Sequence, residues 1–243
     1  MTRRVAPVPE TVVRLRVNGF TVTTWTCSPG DPATLAAGRL LALGFIDSGA
    51  DLEAVEVGED SGVMVIETRV VPVRAAAGID EREHRRERGC GLRHFLDCQP
   101  DALTSAAAPA APPPPESFRD LFRDLFDRSP SRQTTGGHHT AALSDGSTLR
   151  YVHEEVGRHN AIDRSIGAAV LDGADRAAMA ALGLITTARI SGEMAEHAAR
   201  AGIGWIASRS VPTTLAVEIA AAAGIPVIAR APGPDARVVG GEA

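Results

Sequence analysis

The chain has 243 residues, of which 44% are hydrophobic and 23% charged, and its formal net charge is −5. This length and composition allow a sizeable core and include no apolar run near the roughly 18 residues of a membrane span, which excludes a disordered chain and a membrane-spanning one. The negative charge argues against nucleic acid as a partner, and an N-terminus without the apolar stretch of a signal peptide predicts a cytoplasmic protein.

The N-terminal part of the chain predicts a β-rich subdomain. Apolar residues alternate with arginine over 13–17, and the Asn18-Gly19 pair after them predicts a hairpin whose second strand covers 20–24. Asp31 has the side chain of a helix N-cap, and Gly44 predicts the end of that helix. Two further strands are expected near 53–57 and 63–72, with a turn at 59–62.

Cys90 is the cysteine whose surroundings favour reactivity. It lies between two glycines in a basic segment that contains Arg82, Arg85, Arg86, Arg88 and Arg93. Because nearby cations lower the pKa of a thiol, the segment predicts a reactive thiolate in a loop, and a chance cysteine in a solvated basic loop is the alternative. Cys27 is interpreted as a small core residue and Cys98 as incidental, and an Ala/Pro-rich linker follows at 105–115.

An α/β domain is predicted after the linker. The apolar spacing over 118–126 predicts a buried helix face, and Asp145-Gly146 predicts a hairpin. Asn160 is expected to cap a helix that ends at Leu171, with Asp163 in its first turn. The following strands are expected at 182–186, 203–207 and 225–229, and the helices between them at 193–201 and 213–223. This alternation predicts parallel strands with right-handed crossovers.

Polar residues follow each of these parallel strands: Arg189, Ser191, Ser208, Arg209 and Arg230. Ligands of open parallel sheets bind beyond the carboxyl ends of the strands, where helix N-termini and guanidinium groups attract anions. A phosphate-bearing ligand is therefore the functional interpretation. In the alternative, the hydroxyls cap helices and the arginines are solvated surface.

Two glycine-containing loops are further candidates for ligand contacts: Gly136-Gly137-His138-His139 and Gly157-Arg158-His159-Asn160. Glycine lets the backbone approach a ligand closely, although neither loop has the spacing of a P-loop or a dinucleotide fingerprint. The histidines of these loops lack carboxylate or thiolate partners at ligand spacing, so no metal site is expected.

Together these segments resemble the FdhD family, the formate dehydrogenase accessory sulfurtransferases, over most of the chain. Residues 154–164 are similar to the family pattern E-D-V-G-R-H-N-A, and residues 135–139 to T-G-G-x-H. Residues 189–194 resemble R-x-S-x-E, and residues 208–218 resemble a serine–proline segment followed by L-A-V-E.

The resemblance implies a cytidine-deaminase-like α/β fold. Residues 117–243 would form a three-layer α/β/α domain with a mixed sheet, joined by 76–116 to the smaller β-rich subdomain at 1–75. It also implies a carrier that accepts persulfide sulfur from a cysteine desulfurase on Cys90 and passes it to the Mo-bis(molybdopterin guanine dinucleotide) cofactor of formate dehydrogenase. A homodimer with no metal of its own is the expected form.

The resemblance further implies a set of residues that contact this cofactor. The stretch that aligns with the family's cofactor-binding segment is Arg230, Ala231, Pro232, Gly233, Pro234 and Asp235. The strand ends and loops add Arg189, Ser191, Ser208, Arg209, Gly136, Gly137, His139, Gly157, Arg158, His159 and Asn160.

The chain departs from the family pattern at two positions. Arg93 stands where the family has the second cysteine of C-G-x-C-G, and Pro232 stands where it has an arginine. These departures leave open a paralogue that binds the cofactor or a partner without moving sulfur. A zinc deaminase is the third hypothesis, since His153-Glu154-Glu155 satisfies H-x-E, but the downstream P-C-x-x-C is absent.

Overall fold

The computed structural model describes residues 7–71 and 110–239. Within these ranges it contains two mixed sheets and seven α-helices, which confirms the predicted mixed α/β class. Within the same ranges, no helix combines the length and the apolar character needed to cross a membrane. Cys90, Cys98 and most of the 76–116 segment lie outside the described residues.

The first sheet contains β1 (Thr11–Val17), β2 (Phe20–Cys27), β3 (Leu52–Asp60) and β4 (Val63–Val70), in the order β2-β1-β4-β3. β1 is parallel to β4, and the outer pairs are antiparallel. The predicted hairpin is confirmed, because Asn18 and Gly19 join β1 to β2 with φ angles of 49° and 87°. β3 is longer than predicted, and the turn between β3 and β4 therefore contains only Ser61 and Gly62. Both residues have positive φ, as two-residue hairpin turns require.

The second sheet contains β5 (His139–Ser144), β6 (Leu149–Glu155), β7 (Gly183–Thr186), β8 (Trp205–Ser208), β9 (Val227–Ala229) and β10 (Arg237–Val239). Its order is β10-β9-β8-β7-β5-β6. The three strands β7, β8 and β9 are parallel, as the alternating pattern predicts, and the remaining pairs are antiparallel. The sequence did not predict β10, which has only three residues.

Seven helices connect or cover these strands: α1 (Pro32–Ala42), α2 (Ser117–Asp127), α3 (Pro130–Thr135), α4 (Arg158–Leu171), α5 (Arg176–Ala180), α6 (Gly192–Ala201) and α7 (Thr214–Ala222), all within the described ranges. The predicted cap of α1 is confirmed, since the Asp31 carboxylate accepts the N–H of Ala33, and Gly44 follows the helix with φ of 76°. The short helices α3 and α5 were missed because neither has enough residues to show an apolar period.

Helices cover both faces of the second sheet. On one face, Phe118 of α2 meets Trp205 of β8 edge to face, with ring centroids 5.8 Å apart. On the other face, Leu184 and Ile206 belong to the same buried cluster as Ile162 of α4. Because side chains alternate along a strand, each buried strand supplies both cores, and the C-terminal half has three layers.

Helices α1 and α4 join the two halves of the molecule by close packing. A Cβ atom at Gly38 would overlap the backbone carbonyl of Asp163, and one at Gly167 would overlap that of Thr34. The two helices therefore approach backbone to backbone, which places Arg39 of α1 beside Asp163. The largest hydrophobic cluster draws residues from both halves, and the division at 1–75, 76–116 and 117–243 stays a prediction.

Two predictions about α4 are wrong. The helix begins at Arg158 with Gly157 as its N-cap, so Asn160 is not the cap and Asp163 lies beyond the first turn. The amide of Asn160 is engaged in tertiary contacts instead: Nδ2 donates to the carbonyl of Thr26 at 2.9 Å, and Oδ1 accepts from Arg39 at 3.3 Å. A residue with the chemistry of a cap therefore ties α4 to β2 and α1.

Candidate functional site

One edge of the second sheet brings together most of the polar residues that the sequence singled out. The ends of β7 and β8 are adjacent, because the N–H of Arg209 donates to the carbonyl of Thr186 at 3.1 Å. The start of β5 joins them, because the N–H of Thr187 donates to the carbonyl of Thr140 at 3.0 Å. The edge carries Arg189, Arg209, Arg230 and His139, followed by the loop that leads from β6 into α4.

Several of the predicted ligand-contact residues have structural roles at this edge. The fully buried Ser208 hydroxyl donates to a carbonyl after β7 at 2.7 Å and accepts the N–H of Ser210 at 2.8 Å. Gly136 ends α3 with φ of 70°, and a Cβ at Gly157 would lie 2.8 Å from Nδ2 of Asn160. These positions therefore have structural reasons for their residue types, and their contact with a ligand stays a prediction.

Residues 230–235 form a turn that continues from β9. Arg230 has φ of 51°, a conformation that costs an L-residue about 1–2 kcal/mol, and the N–H of Gly233 donates to its carbonyl at 2.9 Å. Its exposed guanidinium lies 3.9 Å from the Asp235 carboxylate. Ala231 is buried. Arg230 is the cation of residues 230–235, and its side chain is exposed to solvent.

Two buried nitrogens next to this edge have no hydrogen-bond partner: Nδ1 of His139 and Nε of Arg158. Burial, and then the charges of Arg132 and Arg158, lower the pKa of His139, so its ring is neutral at pH 7. The sequence had not singled out Arg132, which lies on α3. The unpartnered N–H of Arg158, beside other cationic side chains, suits an anionic ligand that accepts hydrogen bonds.

A second polar cluster lies where α4 and α6 meet. His159 Nε2 is 3.2 Å from both Ser191 Oγ and Glu193 Oε2. Nδ1 of His197 donates to the buried Asp163 carboxylate at 2.8 Å, and Nε of Arg39 lies 3.0 Å from its other oxygen. Sequence reasoning missed Arg39, Asp163 and His197 as partners because they come from three separate helices.

Charge compensation explains the protonation states of this cluster. Desolvation by burial raises the pKa of Asp163, but the charges of Arg39 and His197 outweigh it and hold that pKa below its usual range. Desolvation lowers the pKa of His159 to about 4, although Glu193 opposes the shift. Asp163 is therefore ionised and His159 neutral at pH 7.

The depressed pKa of His159 predicts acid sensitivity. The unfolded chain binds a proton on this residue below pH 6.5, whereas the native protein does so only near pH 4. Stability is therefore unaffected above about pH 7 and falls by about 2–3 kcal/mol as the pH drops from 6.5 to 4. Urea unfolding of the wild type and of His159→Gln across this window should show the smaller loss in the variant. An NMR titration that places the His159 pKa near 6.5 would contradict the prediction.

A buried ion pair anchors the loop between β2 and α1 to the sheet edge. Arg164 Nε donates to Glu155 at 2.9 Å, and the other Glu155 oxygen accepts the N–H of Ser28 at 2.8 Å. Arg164 also donates to the carbonyls of Ser28, at 2.8 Å, and Asp31. Every polar atom of this pair thus has a defined partner, which holds the middle of α4 and the end of β6 against the loop between β2 and α1.

Cys27 lies beside this ion pair and is unsuited to nucleophilic chemistry. Its side chain is 1% exposed, and burial, followed by the charge of Glu155, raises its pKa to about 11. The thiolate form is the nucleophile, so Cys27 is unreactive at neutral pH. This agrees with its interpretation as a small core residue.

The histidines do not form a metal site within residues 7–71 and 110–239, where no group of three or more His, Cys, Asp or Glu side chains could hold a metal ion. His138 Nδ1 lies 3.2 Å from Thr135 Oγ1, and His153 Nδ1 lies 3.0 Å from the carbonyl of Tyr151. Each of these two rings therefore contacts a residue two or three positions away in its own loop or strand.

Comparison with known proteins gives one consistent result. The model of the FdhD/NarQ family matches residues 8–242. The sulfur carrier protein FdhD of Streptomyces coelicolor is 34% identical over 93% of this chain and 84% of its own length. The protein of the same name from Bacillus subtilis is 30% identical over 90% of this chain and 80% of its own. A crystal structure from Desulfotalea psychrophila, provisionally described as a formate dehydrogenase accessory protein, is 22% identical and shares the fold with a TM-score of 0.71, over 95% of this chain and 86% of its own.

Proposed function

This chain belongs to the FdhD/NarQ family, and we propose that it acts as a sulfur carrier in the maturation of formate dehydrogenase. The observation that carries the proposal is the match of residues 8–242 to the family, together with relatives named sulfur carrier proteins that cover most of the chain. We propose a cytoplasmic homodimer that works with a cysteine desulfurase and formate dehydrogenase.

Cys90 is the proposed carrier. Its thiolate attacks the terminal sulfur of the desulfurase persulfide, a new Sγ–S bond forms, and the desulfurase cysteine leaves as a thiolate. Delivery breaks that Sγ–S bond, restores the Cys90 thiolate and leaves the terminal sulfur on the molybdenum centre, which supplies the electron pair that converts it to sulfide. The inert environment of Cys27 supports Cys90, since the buried thiol is not available for this exchange.

The sheet edge is the proposed binding surface for the cofactor, which is a substrate here. Arg158, Arg189 and Arg209 have no carboxylate within ion-pair distance among the described residues, and the buried N–H at Nε of Arg158 lacks a partner. Such donors fit the pyrophosphate oxygens of a molybdopterin guanine dinucleotide. The residues present therefore fit the anionic part of this substrate.

Persulfide trapping tests the proposal. After incubation with a cysteine desulfurase and cysteine, intact-mass and peptide mass spectrometry should find one added sulfur atom on Cys90, lost on treatment with a reductant. Sulfur found only on Cys27 or Cys98 would overturn the assignment. An unmodified protein that still binds a guanine nucleotide would favour the alternative, a paralogue that holds the cofactor without moving sulfur. That alternative arises because Arg93 stands where the family has a second cysteine.

A further inference from the structure

An open cavity beside the sheet edge has two arginines on one aromatic ring. The guanidinium carbon of Arg132 lies 5.8 Å from the centroid of Phe126, and that of Arg209 lies 5.6 Å from the same centroid. The two come from separate elements, since Arg132 belongs to α3 and Arg209 follows β8. The cavity measures about 400 Å³ and is lined by Phe126, Asp127, Arg132, Gln133, Gly136 and Arg209.

The positive charge of this pair is only partly compensated. The carboxylate of Glu154, close to Arg132, accepts the backbone N–H groups of Ser131 at 3.0 Å and Arg132 at 2.6 Å, so it anchors the start of α3. The Arg132 guanidinium itself donates to the carbonyl of His138 at 2.9 Å. Arg209 has no carboxylate at ion-pair distance within the described ranges, and Asp127 is the acidic residue that lines the cavity.

The pKa of Arg132 reflects repulsion between the two cations. Burial, and then the positive charge of Arg209, lower the pKa of Arg132, although Glu154 opposes the shift. Two guanidinium groups held side by side in a partly buried site repel each other until an anion lies between them. Both guanidinium groups lie within cation–π distance of the Phe126 ring, which favours their placement at this cavity.

We infer that Arg132 and Arg209 form a clamp for a phosphate or pyrophosphate group, with Phe126 as its floor. Planar guanidinium groups bind such oxygens in pairs, and two cations match the charge of a phosphate group. The clamp adjoins the proposed cofactor surface, because Arg209 belongs to the sheet edge and the charge of Arg132 acts on His139. The identity of the ligand as the pyrophosphate of the cofactor rests on the proposed function.

Calorimetric titration with inorganic pyrophosphate tests the clamp. Arg132→Gln and Arg209→Gln should each weaken binding about tenfold, because each removes one charge-assisted donor fork. Arg123→Gln is the matched control: it removes the same charge from an exposed arginine on α2 that pairs with Asp120, and it should change affinity less than about twofold. Asp127→Asn should bind at least as tightly as the wild type, since it removes a negative charge from the cavity.

Arg132→Lys is a more conservative variant, which keeps the positive charge but lacks the planar guanidinium group. It should also weaken binding. Thermal unfolding of each variant checks that the fold is retained. Wild-type protein that fails to bind pyrophosphate at millimolar concentration would overturn the clamp, as would equal losses in Arg123→Gln and the two clamp variants. Persulfide formation on Cys90, measured on the same samples, separates the two proposals, because it does not depend on Arg132 or Arg209.

Discussion

A Cys90→Ala variant is expected to leave formate dehydrogenase inactive, to the level of a strain without this protein, while Cys27→Ala retains activation. In the proposed mechanism the Cys90 thiolate holds the transferred sulfur, and Cys27 is not expected to replace it. The Cys27 thiol is buried, and its raised pKa keeps it protonated at neutral pH. Complementation of a deletion strain, read as formate dehydrogenase activity per unit of accessory protein, measures the effect.

The matched cysteine variants make this test specific. Cys27→Ala removes one sulfur atom from a packed site, at a cost of about 1 kcal/mol, so its folded concentration should stay close to that of the wild type. Activation by Cys90→Ala equal to the wild type would rule out Cys90 as the carrier. A wild-type chain that itself fails to complement, yet binds a guanine nucleotide, would support the non-transferring paralogue.

An Arg164→Met variant is expected to lose about 3–5 kcal/mol of stability. Glu155 is fully buried, and Arg164 neutralises it at 2.9 Å while it also donates to the carbonyls of Ser28 and Asp31. Removal of the cation leaves a buried carboxylate without a counter-charge and takes a donor from the carbonyl of Ser28, while the carbonyl of Asp31 keeps the hydroxyl of Thr34. Urea denaturation at pH 7, with the wild type and the variant at equal concentration, measures the loss.

Arg14→Met provides the control for this prediction. Arg14 pairs with Asp60 at 3.2 Å, but the pair is exposed, so its loss should cost less than about 0.5 kcal/mol. Adding Glu155→Gln to Arg164→Met should recover part of the stability, because the stranded charge disappears. A loss no larger in Arg164→Met than in Arg14→Met would show that the buried pair does not hold the two halves together.

Local chemistry explains why much of the fold could be predicted. Asn18-Gly19 needs two positive φ angles, which a two-residue hairpin supplies, and the Asp31 cap depends only on an N–H two residues further along. The alternation of strands and helices after residue 182 allows one arrangement, parallel strands with crossovers. The same alternation predicts that Arg189, Arg209 and Arg230 lie at one edge of the sheet.

Asn160 shows where such reasoning ends. Its sequence context is that of a helix cap, yet its amide contacts β2 and Arg39, residues more than a hundred positions away. Arg39, Asp163 and His197 likewise meet only because Gly38 and Gly167 let α1 and α4 touch backbone to backbone. No pattern along the chain records such a contact.

The sequence by itself determined the mixed α/β class, the family and the group of cations at the carboxyl ends of the parallel strands, since each depends on residue type and short-range spacing. Only the tertiary structure decided that Cys27 is sealed beside Glu155, that Arg132 joins Arg209 on the Phe126 ring, and that His159 is neutral. Desolvation and charge pairing set these properties, and both depend on neighbours that folding brings together from distant parts of the chain.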